Sequence, residues 1–400
     1  MVSYVAMRFL LVTLFLVACS HRPSPPRSVS NIYYWNSAPL IEKTSIIPLG
    51  GISGLSSPHI QGSIITFFAL TDRGPNGNGI ASIIGVGRNV RPFPLPNFAP
   101  EILQMSIDQN TSEVKVLRRI PLKAPSGTKV SGRPSIKQNK SNRDFTEFPV
   151  SMKGDPLSFD NWGLDSEGIC DFGGEFWIAE EYRPSILQVD PQGFIHERFI
   201  PGKGLPKFLE RKQINRGFEG IACEGNIVYA IMQSALRLSK YRSQIFIIAF
   251  NKIEKKTVGI YVYFLENNGS DRIGDLFSMG NGRFLTIEQN GKTGAEGIHK
   301  IYEIDLHGAR NFLKQNPEDL ALGKLQTQAV KKREVLDLAA HGFSFEKVEG
   351  LAYLGNDTVL VASDNDFALV DSNFSTGTFT LDPSKKTAFG IFKLSSPLTK

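Results

Sequence analysis

The chain has 400 residues, 45 Lys and Arg against 39 Asp and Glu, a net charge of +6 and a pI near 9.0. That length holds one large or two ordinary domains, and the basic excess comes without any nucleic-acid recognition motif, which argues against a nucleic-acid partner. The 3 cysteines and 6 scattered histidines lack zinc spacing, and no P-loop, dinucleotide fingerprint or Gly-x-Ser-x-Gly elbow is present.

At the N-terminus Arg8 precedes an apolar run from Phe9 to Ala18, too short to span a bilayer and suited to a signal-peptide core. It ends in Leu16-Val17-Ala18-Cys19-Ser20, which resembles the lipobox of bacterial lipoproteins. The resemblance implies removal of residues 1–18, acylation of Cys19, and anchoring in the cell envelope, on the periplasmic side of the outer membrane. The alternative is an ordinary secretory signal with an incidental cysteine. Met7 is a second candidate for the start, since Met1 to Ala6 add nothing a signal needs. Ser20 to Ser30 is polar and proline-containing and reads as a disordered tether. The lead-in is expected to span 19–43 and the folded domain 44–400.

A short phrase then recurs. It reads Glu167-Gly168-Ile169-Cys170, Glu219-Gly220-Ile221-Ala222 and Glu349-Gly350-Leu351-Ala352, with degenerate copies at Ser53-Gly54-Leu55-Ser56 and Gly274-Asp275-Leu276-Phe277. Each copy is followed by an apolar run ending in polar or acidic residues. Such units cannot bury their apolar faces alone and must pack on one another. Divided into strands, the first unit gives 52–56, 64–71, 102–108 and 114–121. The second gives 166–172, 176–181, 186–190 and 194–200, the third 217–223, 227–233, 244–251 and 257–265. The fourth gives 273–279, 283–289, 300–306 and 334–338. The fifth has 348–354, 358–363 and 389–394, so 44–49 is expected to supply its outer strand and close the ring. The fold class is therefore all-β, a single β-propeller of about five four-stranded blades. A six-bladed alternative would draw its extra blade from 122–160. The segments 122–160 and 307–333 read as loop insertions, and 118–143 carries eight basic residues and no acidic one. That basic segment suits an anionic substrate or lipid headgroup, or is simply a solvated loop.

In a propeller the first strand of each blade lines the axis, so Glu167, Glu219 and Glu349 are expected to converge there. Like charges in a confined space raise one another's pKa or require a cation, and an all-oxygen set suits Ca²⁺. Asp72, Glu181, Glu288 and Asp364 end the second strands and would complete the ring at the mouth. Arg73, Arg183 and Arg216 adjoin these residues, and a guanidinium fork suits an anionic substrate. The alternative is a set of structural glutamates hydrogen-bonded to neighbouring blades, with Arg216 bridging to Glu219 or a carbonyl. Cys170 and Cys223 fall on opposite faces of consecutive blades by strand alternation. They either meet across one interface or point apart, with two buried free thiols as the default.

Asp165-Ser166-Glu167-Gly168-Ile169, Trp177-Ile178-Ala179-Glu180-Glu181-Tyr182-Arg183-Pro184, Asn215-Arg216-Gly217-Phe218-Glu219-Gly220-Ile221-Ala222 and Ser363-Asp364-Asn365-Asp366-Phe367 stand in this order. Together they resemble the phytase-like family, also described as esterase-like activity of phytase, from about Gly51 to Lys393. The resemblance implies a secreted or periplasmic propeller with hydrolytic activity. The chain departs from the family pattern at Glu180 and Arg183, where Asp and Gly are expected. Two readings follow. In the first, the protein is an envelope-anchored monomeric hydrolase, Ca²⁺-dependent, acting on an anionic phosphoester or other ester. Glu181, Arg216 and Arg73 are then catalytic, and Glu167, Glu219, Glu349, Asp72 and Asp364 are metal ligands. In the second, it is a non-catalytic propeller whose insertions bind an envelope protein or surface component.

Overall fold

The computed structural model describes residues 31–43 and 45–398; Cys19, the signal segment and the expected tether lie outside it. The fold is all-β, with a single α-helix, Leu322–Gln328, among the described residues. Five antiparallel sheets follow one another along the chain. The first is built from Ile52–Gln61, Ile64–Thr71, Glu101–Asp108 and Glu113–Pro121. The second comprises Ser166–Phe172, Glu175–Glu180, Ser185–Val189 and Ile195–Pro201, extended by the parallel pair Gly204–Leu205. The third comprises Phe218–Glu224, Ile227–Met232, Gln244–Asn251 and Lys256–Phe264. The fourth comprises Arg272–Gly280, Arg283–Gln289, His299–Asp305 and Lys331–Asp337.

The fifth sheet holds Lys347–Gly355, Thr358–Asp364 and Ala388–Lys393. Its outer strand is Asn31–Tyr34, paired in register with Ala388 to Ile391. The expectation that 44–49 fills this place is therefore corrected, and the folded part begins within the expected lead-in. The physical reason is local. Leu40 and Pro48 form an isolated bridge, Ile41 N–H donates to the Ile47 carbonyl and Leu49 N–H to the Pro39 carbonyl. Residues 39–41 and 47–49 thus pair with one another rather than with the fifth sheet.

Apolar burial joins each sheet to the next. One core cluster links the first and second sheets, a large one links the second, third and fourth, another the fourth and fifth, and a last one the fifth back to the first. Phe67 of the first sheet meets Phe389 of the fifth at 5.5 Å between ring centroids. The innermost strands also touch in sequence. A Cβ added to Gly168 would lie 2.8 Å from Ile221 N, and one added to Gly220 would lie 2.4 Å from Leu276 N. The glycine of the recurring phrase is thus required by close backbone approach to the next sheet. This arrangement is of the propeller type.

Three features add to or correct the expected pattern. First, the glutamate of the phrase sits at a β-bulge: pairing skips between Phe218 and Gly220, between Val348 and Gly350, and between Ser166 and Gly168. A bulge leaves one residue unpaired and re-aims its side chain. Second, the 72–100 segment carries a hairpin, Ile80–Ile83 and Gly87–Pro92, which pairs with Phe148–Val150 from the 122–160 insertion in a three-stranded sheet. Third, Cys170 and Cys223 form a disulfide with Cα atoms 5.7 Å apart. It joins the inner strands of the second and third sheets, which corrects the free-thiol default: opposite faces of consecutive sheets do meet across one interface.

Candidate active site

One end of the sheet assembly opens into a cavity of about 550 Å³. Its walls come from the bulge glutamates and from the residues that follow the second strands. Glu167, Glu219 and Glu349 are buried, as are Asp72, Glu181 and Asp364; all but Glu219 border the cavity, which Gln233, the hydrogen-bond partner of Glu219, also borders. Strand pairing explains the second group. Thr71, Glu180, Met232, Ser363 and Glu288 lie at or one residue before the ends of the second strands, opposite Ile52, Ser166, Phe218, Val348 and Ile273. The residue one further along is therefore Asp72, Glu181, Gln233, Asp364 or Gln289. Glu288 is out of step by one, and a one-residue slip turns a side chain to the other face. It accepts hydrogen bonds from Tyr263 Oη, Lys332 Nζ and Glu266 N–H. It is a packing residue, so its expected place in the ring is corrected.

Asp165, Glu167 and Glu181 form the tightest group. One carboxylate oxygen from each lies within 4.8 Å of the others, and all three residues are buried. Glu181 is 0% exposed, and neither of its carboxylate oxygens has a hydrogen-bond partner. Glu180 explains why it points inward. That neighbouring carboxylate accepts from Tyr182 N–H at 2.8 Å, Arg183 N–H at 3.1 Å, Ser185 Oγ at 2.8 Å and Arg198 Nη2 at 2.8 Å. It ties the turn after the second strand, so Glu in place of the expected Asp serves the loop. Arg183 does not border this cavity; it lines a separate one formed with the 135–146 segment.

Arg73 is also buried. Its Nη1 donates to Glu147 Oε2 at 2.5 Å and to Tyr182 Oη at 3.3 Å, and it lies 3.2 Å from Asp165 Oδ2 without hydrogen-bond geometry. Arg216 is half-exposed, and its Nη1 donates to Gln233 Oε1 at 2.6 Å. Gln233 Nε2 in turn donates to Glu219 Oε2 at 2.6 Å, leaving Glu219 Oε1 unpartnered. The expected Arg216–Glu219 bridge is thus relayed through Gln233. On the opposite wall Lys347 Nζ donates to Asp364 Oδ2 at 2.7 Å and Asp366 Oδ1 at 2.6 Å. Asp72 Oδ1 accepts from Gly74 N–H at 2.8 Å. Asp366, Phe367 and Ala368 all have positive φ, between 47° and 61°. Three consecutive residues in that region are strained, and Asp366 is held there by Lys347 and Lys385.

The electrostatics follow from this crowding. Burial, then the Asp165 charge, pushes the Glu181 carboxyl up to about 8, against the pull of Arg73, Arg216 and Lys212. Burial, with Asp165, Glu219, Glu181 and Glu349 adding repulsion, holds Glu167 well above the usual range. Burial also raises Glu219, with Glu181 and Glu349 as the next causes. Glu349 and Asp72 are raised by burial too, and Lys347 moderates both. Buried carboxylates without partners favour the neutral form or a bound cation.

Several cavity residues were missed as site residues in the sequence: Asp165, Gln233, Arg272 and Lys347. Asp165 and Lys347 each stand two residues before a phrase glutamate, and a period of two places such residues on one face. That signal was available. Gln233 was hidden because it breaks the acidic pattern.

A family model described as "Phytase-like: Esterase-like activity of phytase" matches residues 47–367. No curated protein matches the chain. Among solved structures, one on the GH130 family of mannoside phosphorylases is 11% identical, with a TM-score of 0.40, covering 94% of this chain and 97% of that one. A thermostable family-43 glycoside hydrolase is 8% identical at a TM-score of 0.38, covering 88% and 96%. An α-L-arabinofuranosidase from Lactobacillus brevis is 10% identical at a TM-score of 0.38, covering 87% and 94%. Likeness at these values carries no argument about chemistry.

Proposed function

Since the chain belongs to the phytase-like family, we propose that it is a hydrolase of anionic esters. In this reading it is a single five-bladed propeller, tethered to the envelope through Cys19, with the acidic cavity as its active site. The observation that carries the reading is the Glu181 carboxylate, wholly buried, without a hydrogen-bond partner on either oxygen, and grouped with Asp165 and Glu167. The donors are carboxylate oxygens, the chemistry preferred by a hard divalent cation such as Ca²⁺. Asp165, Glu167 and Glu181 would hold the ion, with Glu219 and Glu349 close by. When bound, the ion would supply positive charge to polarise an ester oxygen.

The remaining roles belong to the chain. Glu219, fixed through one oxygen by Gln233, lies just behind the cavity wall with its other oxygen buried and unpartnered, where its charge acts on Glu167. Arg216, held by the same Gln233, presents its guanidinium to an anionic substrate. Arg73 engages Glu147 and Tyr182 through Nη1 beside Asp165, so it positions that carboxylate at the cavity wall. Asp364 is neutralised by Lys347 and, with Asp72, shapes the far wall rather than holding the ion.

Calorimetry with Ca²⁺ on wild type and Asp165→Asn, combined with turnover of phosphoester and carboxyl-ester substrates, tests this. Saturable binding lost in the variant, with turnover lost in parallel, supports the hydrolase. Neither binding nor turnover in the wild type would sink it and leave the propeller as a binding module.

A further inference from the structure

Beside the acidic cavity lies a second one, of about 590 Å³, with the opposite charge. Its walls carry Lys137, Arg183, Arg211, Lys212 and Arg237, against Glu210 as the acid. The 135–146 part of the basic insertion forms one side. Residues 182–184 and 210–212, together with Arg237, form the other.

Lys212 is the informative residue. It is 4% exposed, and its ammonium donates to two backbone carbonyls, Gln213 at 3.0 Å and Phe145 at 3.4 Å. An ammonium has three donors, and burying one is costly unless its donors are satisfied. Burial lowers its pKa, against the opposing charges of Glu181, Glu147, Glu180 and Asp165. Arg237 lies over the Phe145 ring, 4.5 Å from its centroid, which holds a guanidinium fork at the cavity wall. Among the described residues, neither Lys212 nor Arg237 makes an ion pair with a carboxylate. A cavity walled by five cationic side chains against one acid suits an anion.

We propose that this cavity is an oxyanion-binding subsite, for a phosphate-class group held by Lys212 and Arg237 with Arg183 at the rim. Guanidinium forks match tetrahedral oxyanions, and an ammonium adds a point charge. Tyr182 separates this subsite from the acidic cavity. Tyr182 lines the cationic cavity, while its hydroxyl accepts from Arg73 and donates to the Gly132 carbonyl at 2.6 Å. An ester with one anionic group here would have its other end near Glu181. Assigning the anion to the substrate rests on the hydrolase reading; the subsite itself does not.

The test is titration of the mature chain with inorganic phosphate at constant ionic strength, with chloride as control, read by calorimetry. Arg237→Gln and Lys212→Met are compared with wild type and Asp165→Asn, and melting curves establish that each is folded. The expected result is saturable phosphate binding, weakened at least tenfold in Arg237→Gln and Lys212→Met and retained in Asp165→Asn. Arg237 is exposed, so its variant decides the matter if Lys212→Met does not fold. Glycerol phosphate binding more tightly than inorganic phosphate would mark a substrate-borne group. Weaker binding would mark free phosphate, and either upholds the subsite. Phosphate binding no stronger than chloride, or unchanged in Arg237→Gln, overturns the proposal. A chain that binds phosphate here yet hydrolyses no ester would overturn the proposed function alone.

Discussion

Heating the metal-free protein at increasing pH should lower its melting temperature. The folded pKa of Glu181 is about 8 against 4.5 for the ordinary group. Below the unfolded value both states hold the proton. Between the two values the folded state keeps a proton that the unfolded state releases, so stability falls as pH rises and levels off above the folded value. The slope is about 1.4 kcal/mol per pH unit for one group. At about 2 cal/mol/K of unfolding entropy per residue, a chain of this length loses roughly 2 °C per pH unit from Glu181 alone. Glu167, Glu219, Glu349, Asp72 and Asp275 are raised as well and steepen the fall. Lys347, raised from an already high value, and Asp366, lowered, act outside this window. Scanning calorimetry in chelator from pH 5 to 8, on wild type and Glu181→Gln, measures both slopes. Excess Ca²⁺ should flatten the wild-type curve. A wild-type melting temperature that is constant or rises with pH, or an unchanged slope in Glu181→Gln, would refute the reasoning.

Reducing the Cys170–Cys223 bond, which closes a loop of 53 residues, should cost about 4 kcal/mol by the chain-entropy relation. Urea unfolding with and without reductant checks it. Glu180→Ala leaves the largely enclosed Arg198 side chain without its carboxylate and should destabilise by about 3 kcal/mol, read as a shift in denaturation midpoint. Gly220→Ala places a Cβ 2.4 Å from a backbone nitrogen of the next sheet and should cost about 1–3 kcal/mol or more, measured the same way. Gln233→Ala should lower turnover while leaving Ca²⁺ affinity near wild type, because it frees Arg216 and Glu219 together; paired kinetics and calorimetry separate the two.

The recurring phrase and the apolar run after it are local patterns, so the sequence alone was enough to read strands, sheet membership and the inward glutamates. Alternation along a strand depends only on backbone geometry, and units that cannot bury themselves must stack. What depends on contacts between distant segments was decided only in three dimensions. Residues 39–41 and 47–49 pair with each other, and the outer strand of the fifth sheet comes from Asn31–Tyr34 instead. Which faces of consecutive sheets meet decided the disulfide. Register across the second strand separated Glu181, in the cavity, from Glu288, paired with Lys332. Equivalent carboxylates also received different partners: Gln233 for Glu219, Lys347 for Asp364, and none for Glu181. A carboxylate's chemistry is set by what surrounds it within a few ångströms, and those neighbours come from sheets far apart in the chain.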